Sequence, residues 1–173
     1  AEATITITIN AINDRPTIND GSFSTDEDTS TTYDLSNLGA SDIDGDTLTY
    51  TISQNPTKGT ASIDGTTLTF NPTANANGSD SLKVQVSDGS LTAEATITIT
   101  INAVNDTPTI NNGSFSTDED TSTTYDLSNL GASDIDGNTL SYTISQDPSK
   151  GTASIDGTTL TFNPTANANG SDS

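Results

Sequence analysis

The residues with the clearest capacity for chemistry are acids in three clusters: Asp26-Glu27-Asp28, Asp42-Ile43-Asp44-Gly45-Asp46, and Asn105-Asp106-Thr107-Pro108, the last also present as Asn13-Asp14-Arg15-Pro16. Carboxylates at i, i+2 and i+4 in a glycine-containing loop can turn their oxygens toward one point. Calcium takes such an oxygen shell, with about six to eight ligands. Without a cation, acids this crowded repel one another, and a divalent ion converts the repulsion into attraction. The plain alternative is a set of solvated loop acids that aid solubility. For Asp64-Gly65 and Asp88-Gly89 the plain alternative is a hairpin turn. Asn138 stands where the first copy of the loop has Asp46, which reads as a peripheral position.

Other chemistries lack their residues. The sequence has no Cys, His, Met or Trp, so disulfides, thiolate or imidazole metal sites and nucleophile–His pairs are all excluded. Paired acids raise the question of glycoside hydrolysis, but aromatic residues are only 5% of the chain and no cleft is suggested, so the reading is not an enzyme. Twenty-four acidic residues face four basic ones (Arg15, Lys58, Lys83, Lys150), and the net charge of −20 repels nucleic acid and anionic membranes. The same charge favours cations. A small domain without disulfides needs another staple, and bound metal is a candidate.

These clusters are positioned by a repeat. Phe23 recurs as Phe115, and Asp26-Glu27-Asp28-Thr29 as Asp118-Glu119-Asp120-Thr121. Residues 14–81 align with 106–173 without a gap and differ only at positions 15, 20, 46, 49, 55 and 57. Residues 1–13 align with 93–105 and differ only at Ile12/Val104. The chain therefore divides into the final strand of a preceding repeat (1–13), a complete 92-residue repeat (14–105) and an incomplete one (106–173) that lacks its last two strands. Its opening inside a strand-like run reads as an excerpt from a longer array. Without partner strands, Leu140, Tyr142 and Phe162 are expected to be exposed or disordered.

Hydrophobic residues make up only 29%, yet they are β-branched or aromatic and alternate with Thr and Ser, the period of half-buried strands. The complete repeat predicts strands near 21–25, 31–36, 47–53, 59–63, 66–70, 81–87 and 91–102, and no segment has a helical period. About seven strands per repeat, separated by turn signals, is the pattern of an immunoglobulin-like sandwich. The predicted core is Tyr33, Leu35, Leu48, Tyr50, Ile52, Ile63, Leu68, Phe70, Leu82, Val84, Val86, Ile97, Ile99 and Ile101. The Thr-Ile-Thr-Ile-Thr runs at 4–8 and 96–100 turn a row of threonines outward. Such rows can match ice or a polysaccharide, although Thr is also an ordinary solvent-facing strand residue.

The ordered set of motifs resembles bacterial cadherin-like repeats, which occur in tandem in large calcium-dependent adhesins. The motifs are Asp-Glu-Asp-Thr at 26–29, GASDIDGDTLTYTIS at 39–53, NPTANANGSDS at 71–81, VSDGS at 86–90 and ITINAVNDTP at 99–108. The resemblance implies tandem all-β sandwiches with calcium between successive domains. At the joint near 105/106 it implies Glu27, Asn105, Asp106, Asp134 and Asp136 as ligands. At the joint near 13/14 it implies Asn13, Asp14, Asp42, Asp44 and Asp88. Animal cadherins carry Asp-Arg-Glu where this chain has only Asn75, Asn77, Gly78 and Asp80, and a further Asp where it has Ala103. One or two ions per joint are expected, bound at roughly 10⁻⁴–10⁻³ M.

Three functions are compatible with these residues. The first is a spacer of an extracellular surface adhesin or filament, stiffened by Ca2+, whose partners are neighbouring repeats. The second is binding of surface polysaccharide or of like chains, for which exposed aromatics are lacking. The third is self-assembly, with residues 1–13 of one chain completing the open repeat of another.

Overall fold

The computed structural model describes residues 1–173. It divides into two compact units, Ala1–Val104 and Asn105–Ser173.

In unit 1 the strands are β1 (Gly21–Asp26), β2 (Thr31–Asp34), β3 (Thr49–Gln54), β4 (Gly59–Asp64), β5 (Thr67–Pro72), β6 (Gly78–Ser87) and β7 (Thr92–Asn102). They form two sheets, β1-β7-β6-β3 and β2-β5-β4. All pairings are antiparallel except β1 with β7, which run parallel from Gly21↔Ile97 to Asp26↔Asn102. Apolar residues alternate with Thr and Ser along each strand, so one face of each sheet is apolar and the two faces close on each other. The core holds Leu35, Leu38, Leu68, Phe70, Leu82, Val84, Ala95, Ile97, Ile99 and Ile101. Phe23, Tyr33, Tyr50, Ile52 and Ile63 pack half-buried against it. Every predicted core position is buried or half-buried. Leu38, Ala95 and Phe23 join them.

Three local features differ from the sequence expectation. The predicted strand at 31–36 stops at Asp34, and Leu35–Leu38 form a 3-10 turn. The Asp34 carboxylate accepts the Ser36 N–H at 2.9 Å, Gly39 closes the turn at φ +59°, and both leucines enter the core, which a continued strand would not allow. The β4–β5 hairpin loop is Gly65-Thr66, one residue later than Asp64-Gly65, because Asp64 pairs with Thr67. The β6–β7 connection is four residues long, since Asp88 closes on Leu91 rather than turning tightly at Gly89.

Unit 2 holds β8 (Thr123–Asp126), a second 3-10 turn (Leu127–Leu130), β9 (Gly151–Asp156) and β10 (Thr159–Pro164), in one sheet ordered β8-β10-β9. It matches the β2-β5-β4 sheet of unit 1. Residues 113–118 and 141–146, the counterparts of β1 and β3, carry no strand pairing. Leu140, Tyr142 and Phe162 are half-buried rather than exposed. Phe115 stacks on Tyr125 at 5.3 Å and meets Phe162 edge-on at 6.3 Å, which shelters Tyr125 and Phe162. The exposure falls elsewhere: Phe115 is 43% and Ile144 36% exposed.

Candidate metal centre

The loop between the 3-10 turn and β3 in unit 1 is built by its own acids. Asp42 Oδ1 accepts the N–H of Asp44 at 2.9 Å and of Asp46 at 3.4 Å, while Gly45 turns the chain at φ +79°. This brings one carboxylate oxygen from each of Asp42, Asp44 and Asp46 within 4.8 Å of the others. Asp46 is thus part of the cluster, not peripheral to it. Asp44 Oδ2 accepts the backbone N–H of Asp14 at 2.7 Å, which ties the loop to the segment where the repeat begins. Asp42 Oδ2 is buried and has no hydrogen-bond partner. A buried carboxylate oxygen without a donor is costly. The donor set, oxygen only and strongly negative, fits a hard divalent cation.

Beside this loop, Asn13 Nδ2 donates to Asp88 Oδ2 and to the carbonyl of Asp14, both at 3.0 Å. Asp88 Oδ1 accepts the N–H groups of Ser90 and Leu91 at 2.6 Å. The Leu91 and Ser90 backbone bonds, aided by Asn13, hold the Asp88 carboxyl below its ordinary value. Asp88 therefore shapes its own loop and also reaches the start of the repeat.

Unit 2 repeats the loop with one substitution. Asp134 Oδ1 accepts from Asp136 N at 3.0 Å and from Asn138 N at 3.1 Å, and Asp136 Oδ2 accepts the N–H of Asp106 at 2.7 Å. Asn138 Nδ2 donates to Asn105 Oδ1 at 2.7 Å. The amide at this position engages one of the candidate ligand oxygens, where the first copy adds a carboxylate.

The Asp26-Glu27-Asp28 cluster does not converge on one point. Asp26 Oδ1 accepts from Asn102 Nδ2 at 3.0 Å, and Asp28 Oδ1 from Asn75 N at 2.9 Å. Glu27 is 2% exposed; its Oε1 accepts Val104 N at 2.7 Å and its Oε2 Asn77 Nδ2 at 3.3 Å. Asp26 fastens the end of β7, Asp28 the segment between β5 and β6, and Glu27 both that segment and the residue Val104 beyond β7.

Asp80 was visible in sequence only as a departure from the cadherin pattern. It is 9% exposed, and its carboxylate accepts the N–H groups of Thr57, Lys58 and Ser81 and the Thr57 hydroxyl, at 2.7–3.1 Å. Burial pushes its carboxyl up, but the combined N–H donors outweigh that and leave it lowered. Asp172 fastens Ser149, Lys150 and Ser173 in the same way, and the Lys150 N–H leads in bringing it down to about 2. No spacing rule exposes such a clamp, because most of its donors, at Thr57 and Lys58, lie more than twenty residues away in sequence.

A model of the bacterial Ig domain matches residues 13–100 and again residues 105–173. The chain belongs to the bacterial Ig domain family. The tandem match agrees with the Ig- and cadherin-like repeat that the sequence motifs resemble. No curated protein matches this Ig chain. Among solved structures it is similar to the endo-fucoidan hydrolase MfFcnA4 from glycoside hydrolase family 107, at 20% identity and a TM-score of 0.44, over 88% of this chain and 24% of that one. It is also similar to the endo-fucoidan hydrolase MfFcnA9 of the same family, at 24% identity and a TM-score of 0.41, over 54% of this chain and 17% of that one. The Ig chain spans about a quarter or less of the length of these hydrolases. No helix of the Ig chain is long and apolar enough to cross a membrane.

Proposed function

We propose that these Ig repeats are non-catalytic spacers of an extracellular surface adhesin or filament, stiffened where one repeat meets the next by calcium. The reading is carried by the Asp42/Asp44/Asp46 cluster, whose three carboxylates lie within 4.8 Å and include an oxygen that is buried and unpartnered. Asp44 also holds Asp14 N, and Asp88 holds Asn13, so an ion captured there acts on the segment that enters the repeat. Asn105, Asp106, Asp134 and Asp136 are the corresponding residues of unit 2, and Glu27 stands at the far end of unit 1 beside Val104. An ion removes the mutual repulsion of the acids and ties the entering strand to the loop, which restricts bending at that point.

Calorimetric titration of calcium into the chain tests the ion. Binding at roughly 10⁻⁴–10⁻³ M is expected, with the unit 1 site lost in the Asp42→Asn/Asp44→Asn variant. Solution scattering tests the mechanism. The maximum dimension and flexibility of a tandem array should differ between millimolar calcium and excess chelator, and identical curves would refute the spacer mechanism.

A further inference from the structure

In each repeat the fold seats a lysine on one particular peptide bond, the bond that joins an asparagine to a glycine. In unit 1 Asp80 Oδ2 accepts the Lys58 N–H at 2.7 Å, and Lys58 Nζ donates to the Asn77 carbonyl at 2.6 Å. The turn between them is closed by Thr73 N–H on the Lys58 carbonyl at 2.8 Å and by Ala76 N–H on the Thr73 carbonyl at 3.0 Å. Gly78 leaves the turn at φ +93°, and a Cβ there would meet Lys58 Nζ at 3.0 Å, so a glycine is what lets the lysine sit where it does. Asn77 is exposed, and its Nδ2 donates to Glu27 Oε2 at 3.3 Å, a long bond. Unit 2 has the same arrangement. Asp172 Oδ2 accepts the Lys150 N–H at 2.6 Å, Lys150 Nζ donates to the Asn169 carbonyl at 2.8 Å, and Gly170 follows at φ +86°.

We propose that Asn77-Gly78 and Asn169-Gly170 are sites of spontaneous deamidation, promoted by the lysine held on the peptide bond between them. The nucleophile is the glycine nitrogen. It loses its proton to hydroxide and attacks the asparagine Cγ; the Cγ–Nδ2 bond breaks, and Nδ2 leaves as ammonia with a proton from water, which returns the hydroxide. The product is a five-membered imide. Water then opens it at Cγ to give aspartate, or at the main-chain carbonyl to give isoaspartate. No electrons are transferred, and water is the only co-reactant. As the N–H proton is lost, negative charge spreads onto the Asn77 carbonyl oxygen, where the Lys58 ammonium already donates. A charged donor in place before the reaction lowers the barrier without having to move. Glycine contributes as well, since a nitrogen without a neighbouring Cβ is open to approach. The Asn77 amide must leave Glu27 to react, and the product has no side-chain N–H with which to return. In unit 1 a new carboxylate then faces Glu27, which is 2% exposed, and the isoaspartate form adds a methylene to the backbone entering β6. Modification therefore loosens the end of the sandwich that Glu27 closes.

Prolonged incubation of the 173-residue chain in mildly alkaline buffer, followed by peptide mass mapping and an enzymatic isoaspartate assay, tests the proposal. Asn77 and Asn169 should each show the mass gain of an amide turned into an acid, with isoaspartate at both positions. The two copies serve as references for each other. Lys58→Met should slow the reaction at Asn77 roughly tenfold and leave Asn169 of the same chain unchanged, and Lys150→Met should do the reverse. Lys58→Arg keeps a charged donor and should restore most of the rate at Asn77. In urea, where no lysine is held on the bond, the Lys58→Met chain should react at Asn77 as fast as the parent. Amide exchange of β6 checks that the folded variants keep the sandwich. Asn77 left intact in the folded parent, a Lys58→Met chain that reacts at Asn77 like the parent, or a Lys58→Met effect that persists in urea would each overturn the proposal.

Discussion

Glu27 Oε1 accepts the backbone N–H of Val104 at 2.7 Å, across 77 residues of sequence, and so closes the end of β7 onto the turn that follows β1. The side chain is 2% exposed, and Asn77 Nδ2 occupies its other oxygen. Glu27→Ala removes a buried carboxylate together with its hydrogen bonds to Val104 N and Asn77 Nδ2, and should destabilise unit 1 by about 2 kcal/mol. Chemical unfolding in chelator measures this as a purely structural effect. An unchanged midpoint would mean that the Glu27–Val104 bond contributes nothing to the fold.

Acid should loosen the clamps made by Asp80 and Asp172. Both carboxyls sit below their ordinary value of 3.8 in the folded chain, Asp172 at about 2. A group whose folded pKa is depressed contributes stability above its unfolded value and loses it as pH falls through the folded one. Stability should therefore be level above about pH 4 and decline toward about pH 2. Asp80→Asn removes its share of that dependence from unit 1, leaving those of Asp34 and Asp88, and should make the acid limb of the unfolding transition shallower. An equally steep limb in the variant would show that other carboxylates set it.

Gly59 starts β4 where its neighbours leave no room for a side chain. A Cβ there would meet the Phe70 ring at 2.6 Å, with the Asn71 carbonyl equally close. Gly59→Ala must push on a fully buried ring and on backbone at once, and should cost roughly 1–3 kcal/mol. At Gly65, whose φ is +58° with open space around it, Ala meets only backbone strain, so its cost should be the smaller of the two. Thermal unfolding of the two variants side by side checks the order.

Amide exchange should separate identical sequences. Residues 21–26 and 113–118 both read Gly-Ser-Phe-Ser-Thr-Asp, yet only the first is in a ladder. In dilute chain the amides of 113–118 should exchange roughly a hundredfold faster or more than those of 21–26. Comparable protection would mean that 113–118 is paired in solution.

Much of the fold was legible in the residues. The strict two-residue alternation of β6 and β7 predicted both strands and which side of each is buried, because apolar and polar side chains then fall on opposite faces. The 3-10 turn was not legible. Leu35 continues the alternating run and reads as a strand residue, and only the packing of Leu35 and Leu38 together against the core decides otherwise. The site divided along the same line. The Asp42–Asp46 loop was readable because its geometry is made by neighbours in sequence. The Asp80 clamp was not, since its partners near Thr57 are defined only once β6 is in place.

The sequence alone determined the 92-residue period, which is read by comparing the chain with itself, and the all-β alternation and the local acidic loop, which depend on residues a few positions apart. Tertiary structure decided which segments become strands. Gly-Ser-Phe-Ser-Thr-Asp is β1 beside β7 and irregular chain without it. A strand's hydrogen bonds leave the segment, so its existence depends on a partner that its own residues do not encode.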